Sequence, residues 1–380
     1  MPFKLQTALQ ERAEAGLLRQ RVVLQSGQSN QIQVDGKYYL NFSSNDYLGL
    51  AGDPRFIKAW QQGLDQWGCG SGASPLVTGY SAAHEQLEAD IADWLGVEAV
   101  LLFSTGFGAN QAVIKALLQK EHTQWQDRLN HASLQEAGAQ SPAPMKRFRH
   151  NDMPHLQSLL QPESGLIISE GVFSMDGDQA PVMELSKLAE HTRNWLMIDD
   201  AHGLGVLGKE GRGTLSHQGV SPDQVQIVMA TFGKAIGMAG AFVAGSRTLI
   251  NYLINFARDY VYSTHLPPAQ ATALSTAIQV VRGADDRRQH LQALIQYFRA
   301  QVVDLDFQLA NSETAIQPLI IGDSKQATAL AARLRENGVW VSAIRPPTVP
   351  AGTARLRLTL TAVHSFADID RLVTSLKAAS

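Results

Sequence analysis

The sequence predicts an α/β fold, in which a large domain with a mostly parallel sheet is joined to a smaller α+β domain. The first observation is a series of short apolar runs of the kind that form buried parallel strands. These runs are Ala99–Phe103, Leu166–Ser169, Trp195–Asp199, Val225–Ala230 and Ala241–Ala244. The second observation is that helix-like segments, such as Asn110–Leu118 and Met183–His191, lie between the runs. This alternation is typical of βα units, which bind ligands at the carboxyl ends of their strands.

The two ends of the chain follow a different pattern. Residues 4–20 carry apolar side chains at helical spacing, and a long helical stretch covers residues 285–304. Residues 355–360 alternate polar and apolar side chains, which predicts a half-solvated strand in an antiparallel sheet. We therefore predict an N-terminal helix and strand segment at 1–40, a large α/β domain at 41–284 and a small C-terminal α+β domain at 285–380.

Composition restricts the class of protein. The 380 residues carry 32 basic and 35 acidic side chains, so the formal net charge of −3 gives no general attraction for nucleic acid or an anionic membrane. Cys69 is the only cysteine, which excludes a disulfide framework and a cysteine-based zinc site. Neither a secretory signal nor an apolar stretch long enough for a membrane span is visible. We expect a cytoplasmic globular protein.

One apolar run ends in ionisable residues. Asp199 and Asp200 close the run, and His202 follows. A single acid there could cap the strand end, but three ionisable groups together favour a functional site. No neighbouring residue supplies a metal-ligand spacing, so no metal is predicted. Residues 203–208 fit the G-x-G-x-x-G dinucleotide pattern, but residues 209–214 cannot sustain the helix that such a site requires.

A lysine follows the next apolar run. Lys234 lies between Gly233 and Gly237, and glycines allow a ligand to approach the backbone closely. A desolvated lysine has more of the neutral amine that a Schiff-base nucleophile needs, whereas an exposed loop lysine is the alternative. A Walker A loop is excluded, because Val228 and Ala235 stand where glycine and Ser/Thr are required.

A phosphate cradle is predicted at the turn after the first of these runs. Residues 103–110 combine a strand end, a turn of small residues and a helix start, whose backbone N–H groups can hold an anion or simply be capped. His131, near another strand end, can stack on a flat ring or cap a helix. The cradle, the acid, the histidine and the lysine together suit pyridoxal 5′-phosphate, which needs a phosphate site, a lysine for its aldehyde and an acid for its ring nitrogen.

The chain also resembles the α-oxoamine synthase family of fold-type I pyridoxal-phosphate enzymes over essentially its full length. The matching stretches are Asn41–Gly49, Glu170–Asp178, Asp199–Gly203 and Thr231–Lys234. The resemblance implies a homodimeric acyltransferase that joins an amino acid to an acyl thioester with loss of CO₂. The run Ala343–Arg357 resembles the members that condense L-alanine with pimeloyl-CoA, or with a pimeloyl carrier protein, in biotin biosynthesis. Sister enzymes using glycine or serine are the alternative.

The resemblance implies roles for four catalytic residues. Lys234 bonds to the cofactor aldehyde and then removes the α-proton of the amino acid. Asp199 pairs with the pyridinium nitrogen, and His202 hydrogen-bonds the phenolic oxygen of the cofactor. His131 stacks on the ring, contacts substrate and assists proton transfer. A fold-type I lyase or aminotransferase is a more distant alternative, as is an inactive scaffold, although a scaffold has no need of these residues.

The remaining implied site residues contact cofactor or substrate. Backbone amides of Gly106 and Phe107 hold the phosphate with Thr231, and Ser174 also contacts the cofactor. Thr264 reaches the phosphate of the partner subunit's cofactor.

The implied substrate contacts are Arg357, Arg19, Thr348 and Asn45. Arg357 binds the amino-acid carboxylate, while Arg19 and Thr348 lie on the acyl side and Asn45 lies near the mouth of the site. The sequence departs from the family pattern at His265 and at Pro75, which leaves details of the interface and of acyl entry open.

Overall fold

A computed structural model describes residues 3–379 apart from 163, 164, 304, 306 and 307. The chain forms two compact units. The larger comprises Leu50–Ser174 and Gln179–Arg288, and the smaller comprises the chain up to Gly49, Met175–Asp178 and the chain from Gln289 onward. The domain limits predicted after residues 40 and 284 stay predictions, because a grouping by contacts does not test which segments fold independently.

The described residues form fourteen α-helices and fourteen strands. Helices α1–α14 are Leu5–Glu14, Pro54–Trp67, Ala82–Leu95, Gly106–Leu117, Ala132–Gln140, Met153–Leu159, Val182–Thr192, Thr214–His217, Arg247–Phe256, Arg258–Val261, Pro268–Arg282, Asp285–Val302, Ser324–Glu336 and Phe366–Ala379. Strands β1–β14 are Gln31–Val34, Lys37–Asn41, Ala99–Phe103, Thr123–Asp127, Met145–Phe148, Gly165–Glu170, Trp195–Asp199, Ile227–Thr231, Ala241–Gly245, Gln308–Leu309, Ile316–Gly322, Val339–Trp340, Ser342–Ile344 and Ala354–Thr359. None of these helices is both long and apolar enough to cross a membrane.

A seven-stranded sheet organises the larger unit, in the order β3-β9-β8-β7-β6-β4-β5. Strands β8, β7, β6, β4 and β5 pair in parallel, and β9 alone runs antiparallel to its neighbours. Glu170 pairs in register with Asp199, which in turn pairs with Met229. The carboxyl ends of β6, β7 and β8 therefore meet at one edge of the sheet. The predicted mostly parallel α/β fold is confirmed.

The apolar runs are strands because burial on both faces requires continuous apolar side chains. All five residues of β3 are buried, and its Leu101 joins Val113 of α4, Met229 of β8 and Val243 of β9 in one core cluster. Each such side chain stabilises the fold by about 1.5–3 kcal/mol relative to an exposed one. Strand β8 begins two residues later than predicted, because a 3₁₀ turn at Pro222–Gln224 precedes it.

The smaller unit contains the antiparallel sheet predicted at the C-terminal end. Its four strands are ordered β10-β11-β14-β13, and a separate sheet has the order β1-β2-β12. The prediction that β14 is half-solvated is wrong, since all six of its residues are buried. The polar side chains are satisfied inside the protein: Arg355 pairs with Asp176, and Arg357 donates to Asn45 and Thr359.

The first helix is shorter than the predicted stretch of residues 4–20. Helix α1 ends at Glu14, and Gly16 follows with a φ of +66°, a conformation that glycine adopts without strain. The N–H of Gly16 donates to the carbonyl of Ala13 and that of Leu17 to the carbonyl of Arg12, which closes the helix end. Arg19 therefore lies beyond the helix.

Candidate active site

The phosphate cradle lies where β3 leads into α4. The Thr105 hydroxyl accepts the N–H of Gly108 at 3.0 Å, so Thr105 caps the helix. The first N–H groups of a helix have no intrahelical acceptor and can bind an anion. A Cβ added to Gly106 would lie 3.8 Å from Cβ of Thr231, at the end of β8, so these two predicted phosphate contacts are neighbours. The side chain of Phe107 is exposed.

Asp199 ends β7 with its carboxylate held in place. It is 4% exposed and accepts hydrogen bonds from Nδ2 of Asn110 at 2.8 Å and from the N–H of Ala201 at 3.0 Å. An acid oriented by two donors at a strand end can pair with a ring nitrogen. The structure thus gives Asp199 a suitable position, and its pyridinium role stays a prediction.

Glu170 is a second buried acid beside Asp199, and the sequence analysis did not select it. Burial and the neighbouring charge of Asp199 raise its pKa well above the usual range, although Lys234 and the N–H of His131 act in the opposite direction. The burial of Glu170 beside Asp199 therefore favours the protonated form of the Glu170 carboxyl. An acid closing a buried apolar run was the signal that could have found it, as it found Asp199.

Asp200 has a structural environment, unlike Asp199. Its carboxyl accepts the N–H of Thr214 at 2.7 Å and the Thr214 hydroxyl at 2.5 Å. A Cβ added to Gly171, Gly203 or Gly213 would lie within 2.4 Å of an Asp200 oxygen, so glycines enclose the group. Gly203 in the G-x-G-x-x-G pattern is thus a packing residue, and a 3₁₀ turn, not a binding helix, follows at Lys209–Gly211.

Asp200 should make stability fall as pH rises. Burial raises its pKa from the ordinary 3.8 to about 7, so between these values the folded chain holds a proton that the unfolded chain has released. The contribution of Asp200 to the free energy of unfolding is fully present below about pH 4 and is lost as the pH rises through about 7. In urea unfolding of the cofactor-free chain, Asp200→Asn should reduce this fall by about 2–4 kcal/mol. Asp223→Asn, which changes an exposed residue, is the control. If the free energy of unfolding fell equally with pH in wild type and in Asp200→Asn, the expectation would be contradicted.

Lys234 lies three residues after β8, in a turn closed by the N–H of Gly237 donating to its carbonyl at 2.8 Å. Its side chain is half-buried, not fully exposed as the loop alternative requires. Its charge lowers the pKa of both Glu170 and His131, which places the amine near those groups. Gly237 serves packing, because its φ is +74° and an added Cβ would lie 2.5 Å from the N of Ala51.

His131 caps helix α5 near the end of β4. Its Nδ1 lies 2.8 Å from the Ser133 hydroxyl and accepts the N–H of Ser133 at 3.2 Å. Part of the residue is exposed, yet desolvation lowers the imidazole pKa. The charge of Asp199 opposes this shift and that of Lys234 adds to it. The helix-capping alternative is therefore observed, and stacking on a cofactor ring stays a prediction.

Three further predicted cofactor contacts lie in loops of the larger unit. His202 is buried in the turn after β7, and Ser174 follows β6. Thr264 is exposed, and its carbonyl accepts a hydrogen bond of 3.4 Å from Ser104 Oγ, beside the cradle. The roles of these residues stay predictions.

His265, a departure from the family pattern, is buried. Its ring centroid lies 4.2 Å from that of His84, and burial lowers its pKa to about 3. Its N–H donates to the carbonyl of Ala73, and its carbonyl accepts the hydroxyl of Ser71. The backbone of His265 thus holds the loop of residues 68–74 in place. The π-helical turn Pro75–Gly79 comes next, so Pro75 begins a helical turn.

The predicted substrate residues form two pairs in the smaller unit. Arg357, 7% exposed, donates to Oδ1 of Asn45 at 3.1 Å, and the Tyr47 hydroxyl donates to the same oxygen at 3.3 Å. Burial raises the pKa of Tyr47, while Arg357 opposes the shift. Arg19 and Thr348 form the other pair, with 3.3 Å between Nη2 and Oγ1. Tyr47, inside a family-like stretch, was missed because the sequence gives no sign of its contact with Asn45.

Comparison with known proteins identifies the class. The aminotransferase class I and II family matches residues 37–376, and the chain belongs to this family, within its α-oxoamine synthases. It is 63% identical over 375 residues to an 8-amino-7-oxononanoate synthase of Aeromonas salmonicida, covering 99% of this chain and 94% of that protein. The corresponding enzyme of Aeromonas hydrophila is 62% identical over 375 residues, with the same coverage of 99% and 94%.

Solved structures agree with this class. Serine palmitoyltransferase from S. paucimobilis, with a bound PLP–myriocin aldimine, has a TM-score of 0.93 at 29% identity, covering 99% of this chain and 96% of that one. The fold is that of fold-type I pyridoxal-phosphate transferases. Pyridoxal 5′-phosphate is the cofactor, and the donor set fits it: helix-start amides beside Thr231, an oriented Asp199 and a half-buried Lys234.

Proposed function

We propose that this enzyme condenses L-alanine with a pimeloyl thioester to give 8-amino-7-oxononanoate, free thiol carrier and CO₂, a step of biotin biosynthesis. The observation that carries the substrate assignment is the 63% identity to an 8-amino-7-oxononanoate synthase over 99% of the chain. The larger unit supports the chemistry, since an oriented acid, a half-buried lysine and an anion cradle lie at strand ends of one sheet.

The bound cofactor supplies an electron sink that makes the α-carbon of an amino acid acidic. Lys234 would hold the cofactor through its amine, and the same amine would take the α-proton of L-alanine as general base. Asp199 keeps the ring nitrogen protonated by pairing its carboxylate with that N–H. In the overall reaction the α-carbon of alanine bonds to the acyl carbonyl, the thiol carrier leaves, and the alanine carboxylate departs as CO₂ and is replaced by a proton.

The smaller unit supplies the proposed substrate contacts. Arg357 binds the carboxylate of L-alanine, because a guanidinium matches a carboxylate in charge and planar geometry. Asn45 and Thr359 accept hydrogen bonds from Nη1 of Arg357 and so orient it. Arg19 and Thr348, which are hydrogen-bonded to one another, contact the acyl substrate. The thioester is carried by CoA or by a carrier protein.

We also propose a homodimer in which Thr264 of each chain contacts the phosphate bound by the other. Its exposed position beside exposed Tyr262 leaves this segment available to a second copy. A cytoplasmic location is proposed as well, in keeping with the exposed free thiol of Cys69, which a reducing compartment maintains.

The absorbance of the cofactor-loaded enzyme tests the function. Titration with L-alanine, glycine and L-serine should shift the visible band at the lowest concentration for L-alanine. Release of CoA from pimeloyl-CoA should then require L-alanine. A band that responds first to L-serine would favour the second candidate, a sister enzyme that uses serine. The TM-score of 0.93 to serine palmitoyltransferase is the observation that supports this candidate. A spectral response without thiol release from either pimeloyl-CoA or a pimeloyl carrier protein would instead indicate a lyase or aminotransferase.

A further inference from the structure

Two buried polar residues that the sequence analysis did not select, Asn110 and Ser133, lie between Asp199 and His131. Asn110 Nδ2 donates to Oδ2 of Asp199 at 2.8 Å and to Oγ of Ser133 at 2.9 Å. Ser133 Oγ lies 2.8 Å from Nδ1 of His131. Asn110 and Ser133 are each 1% exposed, so water does not compete for these bonds.

The chemistry of the groups fixes the direction of each hydrogen bond. The amide nitrogen of Asn110 faces Oδ2 of Asp199 with one N–H and Oγ of Ser133 with the other, and an amide nitrogen can only donate. This orientation leaves Asn110 Oδ1 buried with no partner among the described residues, which costs free energy. Because Ser133 Oγ already accepts from Asn110, its own proton is available to His131.

Two donors therefore converge on one nitrogen of His131. Nδ1 receives the hydroxyl proton of Ser133 and also the Ser133 backbone N–H, at 3.2 Å. A proton on Nδ1 would face both of these donors, so together they favour the imidazole with its proton on Nε2. The backbone around this arrangement is itself held, since Gln111 Nε2 donates to the Ser133 carbonyl at 3.0 Å and Glu170 accepts the His131 N–H.

We propose that Asn110 and Ser133 are positioning residues that join Asp199 to His131 and hold the imidazole as the neutral Nε2–H tautomer. The functional part of this inference rests on the role given to Asp199 under the proposed function and on the role that the family resemblance implies for His131. The consequence is that His131 serves as a hydrogen-bond donor through Nε2, while Nδ1 stays occupied and unavailable as a base. Asp199 would thus orient both the ring nitrogen with which it pairs and, through Asn110 and Ser133, the imidazole of His131.

Imidazole nitrogen NMR of the ¹⁵N-histidine-labelled full chain tests the tautomer, with and without bound pyridoxal phosphate. In wild type, His131 should show an unprotonated Nδ1. Ser133→Ala removes the shorter contact, the hydroxyl at 2.8 Å, and keeps the backbone N–H at 3.2 Å. Nδ1-protonated forms should therefore become populated beside the wild-type tautomer, and the His131 pKa should rise by about one pH unit, a tenfold change in the protonation equilibrium. Ser133→Thr, which keeps the hydroxyl, should restore the wild-type signal.

Ser81→Ala is the matched control. The Ser81 hydroxyl and N–H face Nδ1 of His84 at 2.9 and 3.0 Å, the same pairing elsewhere in the larger unit. This variant should change the His84 signal and leave that of His131 unchanged. An unaltered His131 tautomer in Ser133→Ala would overturn the proposal.

Kinetics test the connection to Asp199. Ser133→Ala and Asn110→Ala should each lower kcat about tenfold while KM for L-alanine changes less than about twofold. The double variant should fall no further than the more impaired single variant, because both cut one connection. Additive losses would overturn the proposal. If wild type lacks condensation activity while the NMR response of the cofactor-free chain is as expected, the proposed function fails and the tautomer assignment stands.

Discussion

Replacing Lys234 with alanine is expected to lower the rate of L-alanine condensation by about 10³-fold or more, because the variant loses both the covalent anchor of the cofactor and the general base. The half-buried Lys234 follows β8, and its charge lowers the pKa of Glu170 and of His131. Thiol release from pimeloyl-CoA measures the rate. The visible band of lysine-bound cofactor should also disappear, while the cofactor phosphate can still occupy the cradle.

Lys209→Ala is the matched control, since Lys209 is an exposed lysine of the same unit, in a 3₁₀ turn. Its absorbance and rate should equal those of wild type. If Lys234→Ala kept the visible band, another amine would hold the cofactor and the assignment of Lys234 would be wrong.

Asp199→Asn is expected to lower kcat/KM by about 10²–10³-fold, the size of effect seen when one oriented electrostatic partner is removed from a reacting group. An amide cannot keep the ring nitrogen protonated as a carboxylate does, so the electron sink weakens. The fold should accommodate the change: the new amide oxygen can accept the N–H of Ala201, and Asn110 can turn its unpartnered Oδ1 toward the new N–H. Steady-state kinetics with L-alanine and pimeloyl-CoA measure the loss.

Asp223→Asn removes an exposed carboxylate from the same unit and should leave kcat/KM unchanged. Thermal unfolding of Asp199→Asn checks that its fold is retained. A folded Asp199→Asn enzyme with the wild-type rate would contradict the pyridinium role. The same result would also contradict the functional role proposed for Asn110, which is to connect Asp199 to His131.

The sequence by itself determined the fold class, and it singled out the acid and the lysine that we propose for the site. Buried parallel strands require apolar runs, so the strands were visible as local patterns, and an acid or lysine directly after such a run stood out. Asp199 and Lys234 were predicted in this way, and the parallel pairing of β6, β7 and β8 brings these strand ends to one edge. The position of each strand end is a local property, which a single sequence records.

Only the tertiary structure decided which polar groups meet. Asn110 contacts Asp199 across 89 residues and Ser133 across 23, and neither has a local signal. The alternating pattern of β14 predicted a solvent-exposed face, but the strand is buried because Arg355 pairs with Asp176, which is 179 residues away in the sequence. Asp200 differs from Asp199 because Thr214 and glycines enclose it. The physical reason is common to all of these: a buried polar group must find a partner, and long-range packing supplies that partner.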